Sequence, residues 1–499
     1  MTSPPVPATP AVLPTATRTE SVADRQARGR AARDRRPRTS LAQWTAAGDR
    51  PDPVALLQGQ ETARVQALLP LRHSRMAVSP FTFYRGSAVV MANDLAEMPT
   101  TGLITQQCGD AHLSNFGLFA APDRTVMFDI NDFDETNPGP FEWDVFRMAT
   151  SFVLAGRDVG IHDAAISAAA TEAASAYRLQ MQEFALMPEL EIWYDRVSVE
   201  VLQEWAKQEG LTTAEKRIEK GAAKARSRDA WSAISKMTEV VDGRRQFLNE
   251  PPLLMRVALD ADAAEAIKGL LGAYLDTTPP APRQLLRRYR MLDFAHKVVG
   301  VGSVGLLAFV VLLEGRDEND LLVLQVKQAV SSVLEPFTAP SVFEYSGERV
   351  VVGQQLMQAA SDAFLGWIRG PRDRDFYIRQ LRDMKYSVDP SKFTAQTLST
   401  YATVCGRTLA RAHARSGDAV AIAAYLGTSD KFDKAVRDFT LAYADQVAAD
   451  FAEYTKAIAS GSVSVESPGV TPTYTVSADV KSGFTVTSGV ADAPGPESS

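Results

Sequence analysis

The spacing of apolar positions changes character several times along the chain. From residue 80 to 135, short apolar segments are broken by Gly, Pro and Asn, a pattern that predicts strands and loops. From Phe141 the period turns helical: Val145, Met148, Ala149, Phe152 and Val153 recur on one face, and Ala-rich helices are predicted from His162 to Met187. Pro251, Pro252, Pro279, Pro280 and Pro282 punctuate a connecting region. Strand chemistry returns over residues 292–330, and residues 395–458 are helical again. No internal repeat is visible.

Both ends are predicted to lack structure. Residues 1–40 are rich in Pro, Ala, Thr and Arg, with a basic run from Arg25 to Arg38, and read as a disordered, solvated tail that makes at most weak nucleic-acid or lipid contacts. Residues 461–499 are Ser, Gly, Val, Thr and Pro and read as a second disordered tail.

The chain has 499 residues, 45% of them hydrophobic, enough for a large core and two lobes. Its net charge of −7 gives no basic field of the kind that calls for nucleic acid. Two cysteines, Cys108 and Cys405, exclude a disulfide framework and suit a reducing cytoplasm. No apolar run reaches the roughly 18 residues of a spanning helix, so a cytoplasmic location is expected.

Two stretches carry chemistry. In Cys108-Gly109-Asp110-Ala111-His112-Leu113-Ser114-Asn115, an Asp precedes an Asn by five positions, and Asp132 follows within the acidic run Asp129 to Glu135. One carboxylate to accept a hydroxyl proton, with an amide and a second carboxylate to hold Mg²⁺, is what a metal-dependent phosphoryl-transfer site needs. Several close carboxylates also need a cation, which makes Asp129 and Asp134 candidate ligands beside Asp132. His112 reads as a hydrogen-bonding residue, because the five His of the chain form no metal-ligating spacing. A serine-hydrolase reading fails for want of a nucleophile elbow.

The second stretch is Gly300-Val301-Gly302-Ser303-Val304-Gly305. A dinucleotide fold would open a helix here, but the β-rich run Leu306 to Leu313, a turn, and a second strand from Leu321 to Val326 ending at Lys327 predict a hairpin. A glycine turn that lets backbone approach phosphates, with a Lys on a following strand, is how kinases hold a nucleotide. Glu335, Glu344 and Glu348 are candidate partners for Lys327; Glu348 is preferred because it leads into an amphipathic helix through Val351, Gln355 and Ala359. Phe376 to Leu381 is a candidate strand entering an adenine-binding hinge. Arg85, in Phe83-Tyr84-Arg85-Gly86, either binds a phosphate or braces the Asp cluster.

These motifs resemble the protein-kinase-like superfamily, in particular its aminoglycoside and choline phosphotransferase branch. Gly109, Asp110, His112 and Asn115 match its catalytic loop apart from Cys108, where the branch has His. Asp132-Phe133-Asp134 resembles its metal-binding element, and Phe141 to Arg147 its following helix start. The resemblance implies Asp110 as catalytic base, Asn115 and Asp132 as metal ligands and Asp144 as an anchor for the loop. Over residues 40 to 455 the chain also resembles a bacterial family known as domain of unknown function 2252, through Ser79 to Gly86, Cys108 to Gly117, Gln354 to Trp367 and Cys405 to His413.

In ordinary kinases the Gly loop precedes the catalytic loop, and here it follows. Residues 400–413 resemble the helix that leads into the catalytic loop, which points to circular permutation and predicts that the helix around Cys405 packs near Cys108. The expected fold is α+β, two-lobed and protein-kinase-like in permuted order. Its catalytic-loop region and helical part span 41–280, a Gly-loop β-rich part spans 281–390, and helices completing the first part span 391–460. The expected activity is ATP- and Mg²⁺-dependent phosphoryl transfer to a small hydroxylated molecule or a protein. Asp110 and Lys327 act in catalysis, and Gly300, Gly302, Ser303, Gly305, Lys327, Glu348 and Arg85 bind the cofactor. AMP transfer on the same fold and a non-catalytic nucleotide-binding module are the alternatives.

Overall fold

The computed structural model describes residues 20–227, 234–257, 259, 261–298, 300, 302–381, 384–467, 472–479 and 483–490. Helices α1 (Val22–Arg35), α2 (Pro53–Glu61), α3 (Leu69–Met76), α4 (Pro80–Gly86) and α5 (Ala88–Ala96) come first. Two short antiparallel pairs follow: β1 (Ile104–Gln107) with β4 (Asn137–Pro140), and between them in sequence β2 (Phe116–Ala120) with β3 (Val126–Ile130). Helices α6 (Phe141–Asp158), α7 (Asp163–Phe184), α8 (Glu189–Tyr194), α9 (Val199–Gln208) and α10 (Thr212–Arg226) precede the hairpin β5 (Thr238–Val241) and β6 (Arg244–Phe247). Then come β7 (Leu254–Arg256), α11 (Ala261–Thr277), α12 (Pro280–Leu286), β8 (Arg290–Lys297), β9 (Ala308–Glu314), β10 (Leu321–Ala329), α13 (Ser346–Met357), β11 (Gly366–Arg369) and β12 (Asp375–Gln380). The chain returns through α14 (Ala395–Ser416), α15 (Ala419–Leu426) and α16 (Lys431–Ala459) to the hairpin β13 (Pro472–Asp479) and β14 (Gly483–Val490).

Six strands form one antiparallel sheet in the order β11-β12-β10-β9-β8-β7. Its central strand β9 is apolar from Ala308 to Leu313 and buried throughout, because side chains alternate between two covered faces. Phe309, Val311 and Leu313 pack with Phe294, Leu324, Ile378 and the α11 residues Ile267 and Tyr274. Val310 and Leu312 pack on the opposite face with Ala295, Val323, Leu381 and Phe247.

A separate helical core is built from α6, α7, α14 and α16. Helix α6 is buried from Phe141 to Gly156. Small residues let α7 and α14 approach closely: Ala169, Ala170, Ala173 and Ala174 are buried on α7, and Cys405, Gly406, Leu409 and Ala410 on α14. Among the described residues, no helix is long and apolar enough to cross a membrane.

Three expectations need revision. Residues 80–96, read as strand and loop because Gly, Pro and Asn break their apolar segments, are helical over Pro80–Gly86 and Ala88–Ala96; Ser79 caps α4 in a capping box and Pro80 starts it. Part of the basic stretch is ordered, because its arginines satisfy carbonyl groups at the C-terminal end of α15: Arg33 donates to Tyr425 O and Arg38 to Leu426 O, while Arg25 and Arg28 pair with Asp418. Gly29 makes this packing possible, since a Cβ there would sit 2.0 Å from Ala421 O. In the C-terminal stretch, β13 and β14 close over the sheet, with Phe484 centred 4.3 Å from Phe309. Residues 1–19 and 491–499 lie outside the described residues.

Where α7 and α14 touch, a Cβ on Gly406 would fall 2.4 Å from Ala173 O. Gly406→Ala is expected to force the two helices apart and to destabilise the fold by about 1–3 kcal/mol. A lowered denaturation midpoint at unchanged slope is the expected readout, and an unchanged midpoint contradicts this packing argument.

Candidate active site

The loop after β1 is shaped by the first turns of α6. Asp144 accepts hydrogen bonds from the amides of Cys108 (2.7 Å) and Gly109 (3.1 Å). Gly109 has φ +78°, and a Cβ there would lie 2.2 Å from Glu135 O, so no other residue fits. One turn along α6 from Asp144, Arg147 grips Asp110 through two nitrogens, at 2.9 and 2.8 Å. Burial raises the Asp110 carboxyl above the usual range against the pull of Arg147. Asn115 donates its side-chain N–H to Asp110 O at 2.8 Å, which leaves its amide oxygen as the atom able to ligate a cation.

The opposite wall comes from the sheet. Lys327, on β10 and 4% exposed, places its ammonium 2.6 Å from Asp134 and 3.8 Å from Asp132. The Asp134 carboxylate also accepts from the Tyr377 hydroxyl (2.8 Å) and from Ser303 Oγ (3.1 Å). Burial raises the Asp132 carboxyl, helped by the adjacent Asp134 charge, while Lys327 holds Asp134 below its usual value despite burial. Lys327 itself is held charged, well above the usual ammonium range, by Asp132 and Asp134 against the opposing effect of burial. Arg349 of α13 donates to the carbonyls of Asp134 (2.9 Å), Val330 (2.7 Å) and Thr136, fixing the acidic loop to the end of β10.

Gly300 and Gly305 adopt φ +67° and +92° in the turn between β8 and β9. The turn is tied to the N-terminal helices. Arg64 donates to Gly302 O (2.9 Å) and Val304 O (2.7 Å), Arg72 to Gly302 O (2.7 Å), Arg75 to Gly300 O (2.6 Å) and the Val65 amide to Gly305 O (2.7 Å).

Two cavities meet at Asp132, Gly300 and Ser303, which line both. The larger, about 560 Å³, is bounded by Lys327, Arg379, Gln325, Phe364 and Leu381. The smaller, about 90 Å³, holds Asp110, Asn115, Arg85 and His112. Among the described residues, no cluster of three or more His, Cys, Asp and Glu side chains is arranged to hold a metal ion unaided.

The structure therefore gathers Asp110, Asn115, Asp132, Asp134, Lys327, Gly300, Gly302, Ser303 and Arg85 around one cleft. Gly305 lies at the base of the turn, packed on Arg64. Two assignments are corrected. Asp129 is fully buried away from both cavities, paired with Arg411 of α14 and accepting from Ala359 N and Ile130 N, so its carboxylate serves the fold. Glu348 does not reach Lys327, because the inward face of α13 is taken by its neighbour Arg349, and Glu348 is only half-buried beside Glu344. Arg147, Tyr377 and Arg349 were not assigned roles from sequence; Arg147 lies within a stretch noted for its resemblance and Tyr377 within the candidate hinge strand, whereas Arg349 carries no local signal. Helix α14 meets the strand feeding the loop at its C-terminal end: Ser416 Oγ accepts from Gln106 N (3.2 Å), and His413 Nε2 lies 3.3 Å from Asp144.

Fold and site together define an α+β protein whose antiparallel sheet and helical core supply opposite walls of one charged cleft. The chain belongs to the family described as an uncharacterized protein conserved in bacteria (DUF2252), whose model matches residues 64–457. No curated protein and no solved structure matches it.

Burial pushes the Glu135 carboxyl up to about 7. A carboxyl raised in the folded state favours folding below its unfolded value near 4.5, and that contribution is lost as pH rises through 7. Glu135→Gln, which still accepts from Val333 N, is expected to be more stable than the parent by about 1–2 kcal/mol at pH 8, partial exposure having reduced what the shift is worth, and no more stable at pH 4. Parallel stability curves for the two proteins between pH 4 and 8 contradict this.

Proposed function

We propose that this protein is an ATP- and Mg²⁺-dependent phosphotransferase with a protein-kinase-like arrangement in circularly permuted order, acting on a small hydroxylated acceptor. The observation that carries the reading is that Lys327 meets Asp134 and Asp132 across 193 and 195 residues of chain, facing a loop that presents Asp110 and Asn115. Three further features support it. The glycine turn joins the first two strands of the hairpin unit β8–β9–β10, and the Lys lies on the third, where a kinase has it. The larger cavity lies against Lys327 and has room for a nucleotide. Asp110 is oriented by Arg147 and has its carboxyl raised, which suits a general base.

In this reading the acceptor hydroxyl oxygen bonds to the γ-phosphorus while the bond from that phosphorus to the β–γ bridging oxygen breaks. The electron pair leaves with ADP and the hydroxyl proton passes to Asp110. Lys327 binds the α/β-phosphates, and the backbone of the Gly300 to Gly305 turn covers them. Asn115 and Asp132 are the residues that would hold Mg²⁺, which would neutralise charge on the transferred group.

Calorimetry with ATP–Mg²⁺ tests this. Asp132→Ala and Lys327→Met are expected to weaken binding at least tenfold, whereas Asp110→Asn retains binding and loses about 10²–10³ in turnover. Absence of ATP–Mg²⁺ binding by the parent protein, or unchanged binding by Asp132→Ala, overturns the proposal. Mass spectrometry of the product separates phosphoryl from AMP transfer.

A further inference from the structure

We infer that the small cavity holding Asp110 is the acceptor site, and that its acceptor is a compact hydroxylated molecule carrying a carboxylate or phosphate group bound by Arg85. The inference rests on the phosphotransferase reading for the meaning of the word acceptor; the anion site itself stands on the geometry of Arg85. The two cavities share Asp132, Gly300 and Ser303, yet Asp110 lines the small one and Lys327 the large one. A phosphoryl group at the shared wall has the nucleotide on one side and the proton-accepting carboxylate on the other.

Four acidic side chains, Asp110, Asp132, Asp134 and Glu135, and two basic ones, Arg64 and Arg85, line the small cavity, and among the described residues no hydrogen bond is made by the Arg85 guanidinium. Asp110 is doubly bonded by Arg147, and Asp134 is matched by Lys327. Arg64 donates to the carbonyls of Gly302 and Val304. Arg85 has its Nε buried without a hydrogen-bond partner, and the charge acting on it is that of Asp110, whose Oδ1 is already held by Arg147. In the same cavity the buried Nδ1 of His112 also has no partner. A guanidinium that lines a cavity and has a buried nitrogen without a partner points to a ligand that completes it. A planar guanidinium fork matches the two oxygens of a carboxylate or phosphate, which makes the missing partner an anion. A space of about 90 Å³ admits a small molecule and excludes a folded protein segment.

Inorganic phosphate and acetate serve as probes in calorimetry, each titrated into the full-length protein alone and with the large cavity filled by Mg²⁺ and the β,γ-imido analogue of ATP. The expected result is phosphate or acetate binding that persists with the analogue present, weakens more than tenfold in Arg85→Gln, and is partly retained in Arg85→Lys. Arg85→Lys also carries the test if Arg85→Gln does not fold, since it is expected to weaken binding severalfold while melting like the parent. Loss of probe binding when the analogue is added assigns Arg85 to the γ-phosphate and overturns the inference, as does probe binding that neither variant alters or the absence of any binding to the parent. Arg85-dependent probe binding in a protein that binds no nucleotide leaves the anion site intact and rejects the phosphotransferase reading instead.

Discussion

The ion pair between Lys327 and Asp134 is the constraint on which the cleft depends. An ammonium 4% exposed and a carboxylate 19% exposed are each costly to bury alone, and losing one partner of such a pair typically costs about 3–5 kcal/mol because the other is left uncompensated. Lys327 belongs to the sheet and Asp134 to the loop that follows β3, so the pair holds two separately packed cores in one register. Arg349 acts in the same direction, hooking carbonyls on both sides of the joint. From the helical side, Asp129 with Arg411 fixes the start of the same acidic segment, and Asp144 with His413 and the Cys108 and Gly109 amides fixes the loop that carries Asp110. The position of Asp132 between them follows from these outer contacts.

What the sequence made legible was local. The β-rich apolar runs before and after Arg316 become β9 and β10, the 3.6-residue period from Val145 becomes α6, and Phe376 to Leu381 largely becomes β12. Asp110, Asn115, Asp132 and Lys327 stood out because their spacing has a chemical meaning. The misassignments have identifiable causes. Glu348 and Arg349 differ by one residue, about 100° around a helix, and periodicity alone does not decide which faces inward. Asp129 resembles its neighbours until the partner is known, and Arg411 is 282 residues away. The basic stretch before residue 40 reads as solvated because its partners, the carbonyls ending α15, carry no sequence signal. The final hairpin did carry one: Tyr474 and Val476 alternate with polar residues and are buried, but the surrounding Ser, Gly and Thr masked it.

The order of the segments matters less than the contacts between their ends. Gln106, which leads into the Asp110 loop, is hydrogen bonded to Ser416 at the end of α14 although 310 residues separate them. A chain that passed directly from α14 into β1 would use the same contact covalently. This is why the phosphotransferase reading needs no change of geometry to accommodate its permuted order, since permutation is tolerated where the joined ends already lie together.

Asp134 also indicates how a site locked by an ion pair accepts a charged ligand. If Lys327 turns from Asp134 toward a phosphate, the carboxylate is not abandoned, because Tyr377 and Ser303 still donate to it. Asp132 is held less closely: the Asp134 amide donates to it at 3.4 Å and Lys327 lies 3.8 Å away, and burial with the Asp134 charge raises its carboxyl against Lys327, Arg379 and Lys385. The two aspartates are therefore inequivalent before any ligand arrives, one saturated by neutral donors and one short of positive charge. A cation relieves the second, a phosphate takes the lysine from the first, and each change makes the other more favourable. On the phosphotransferase reading, nucleotide and metal bind this cleft cooperatively because the protein leaves Asp132 under-compensated while giving Asp134 substitutes for the lysine it lends.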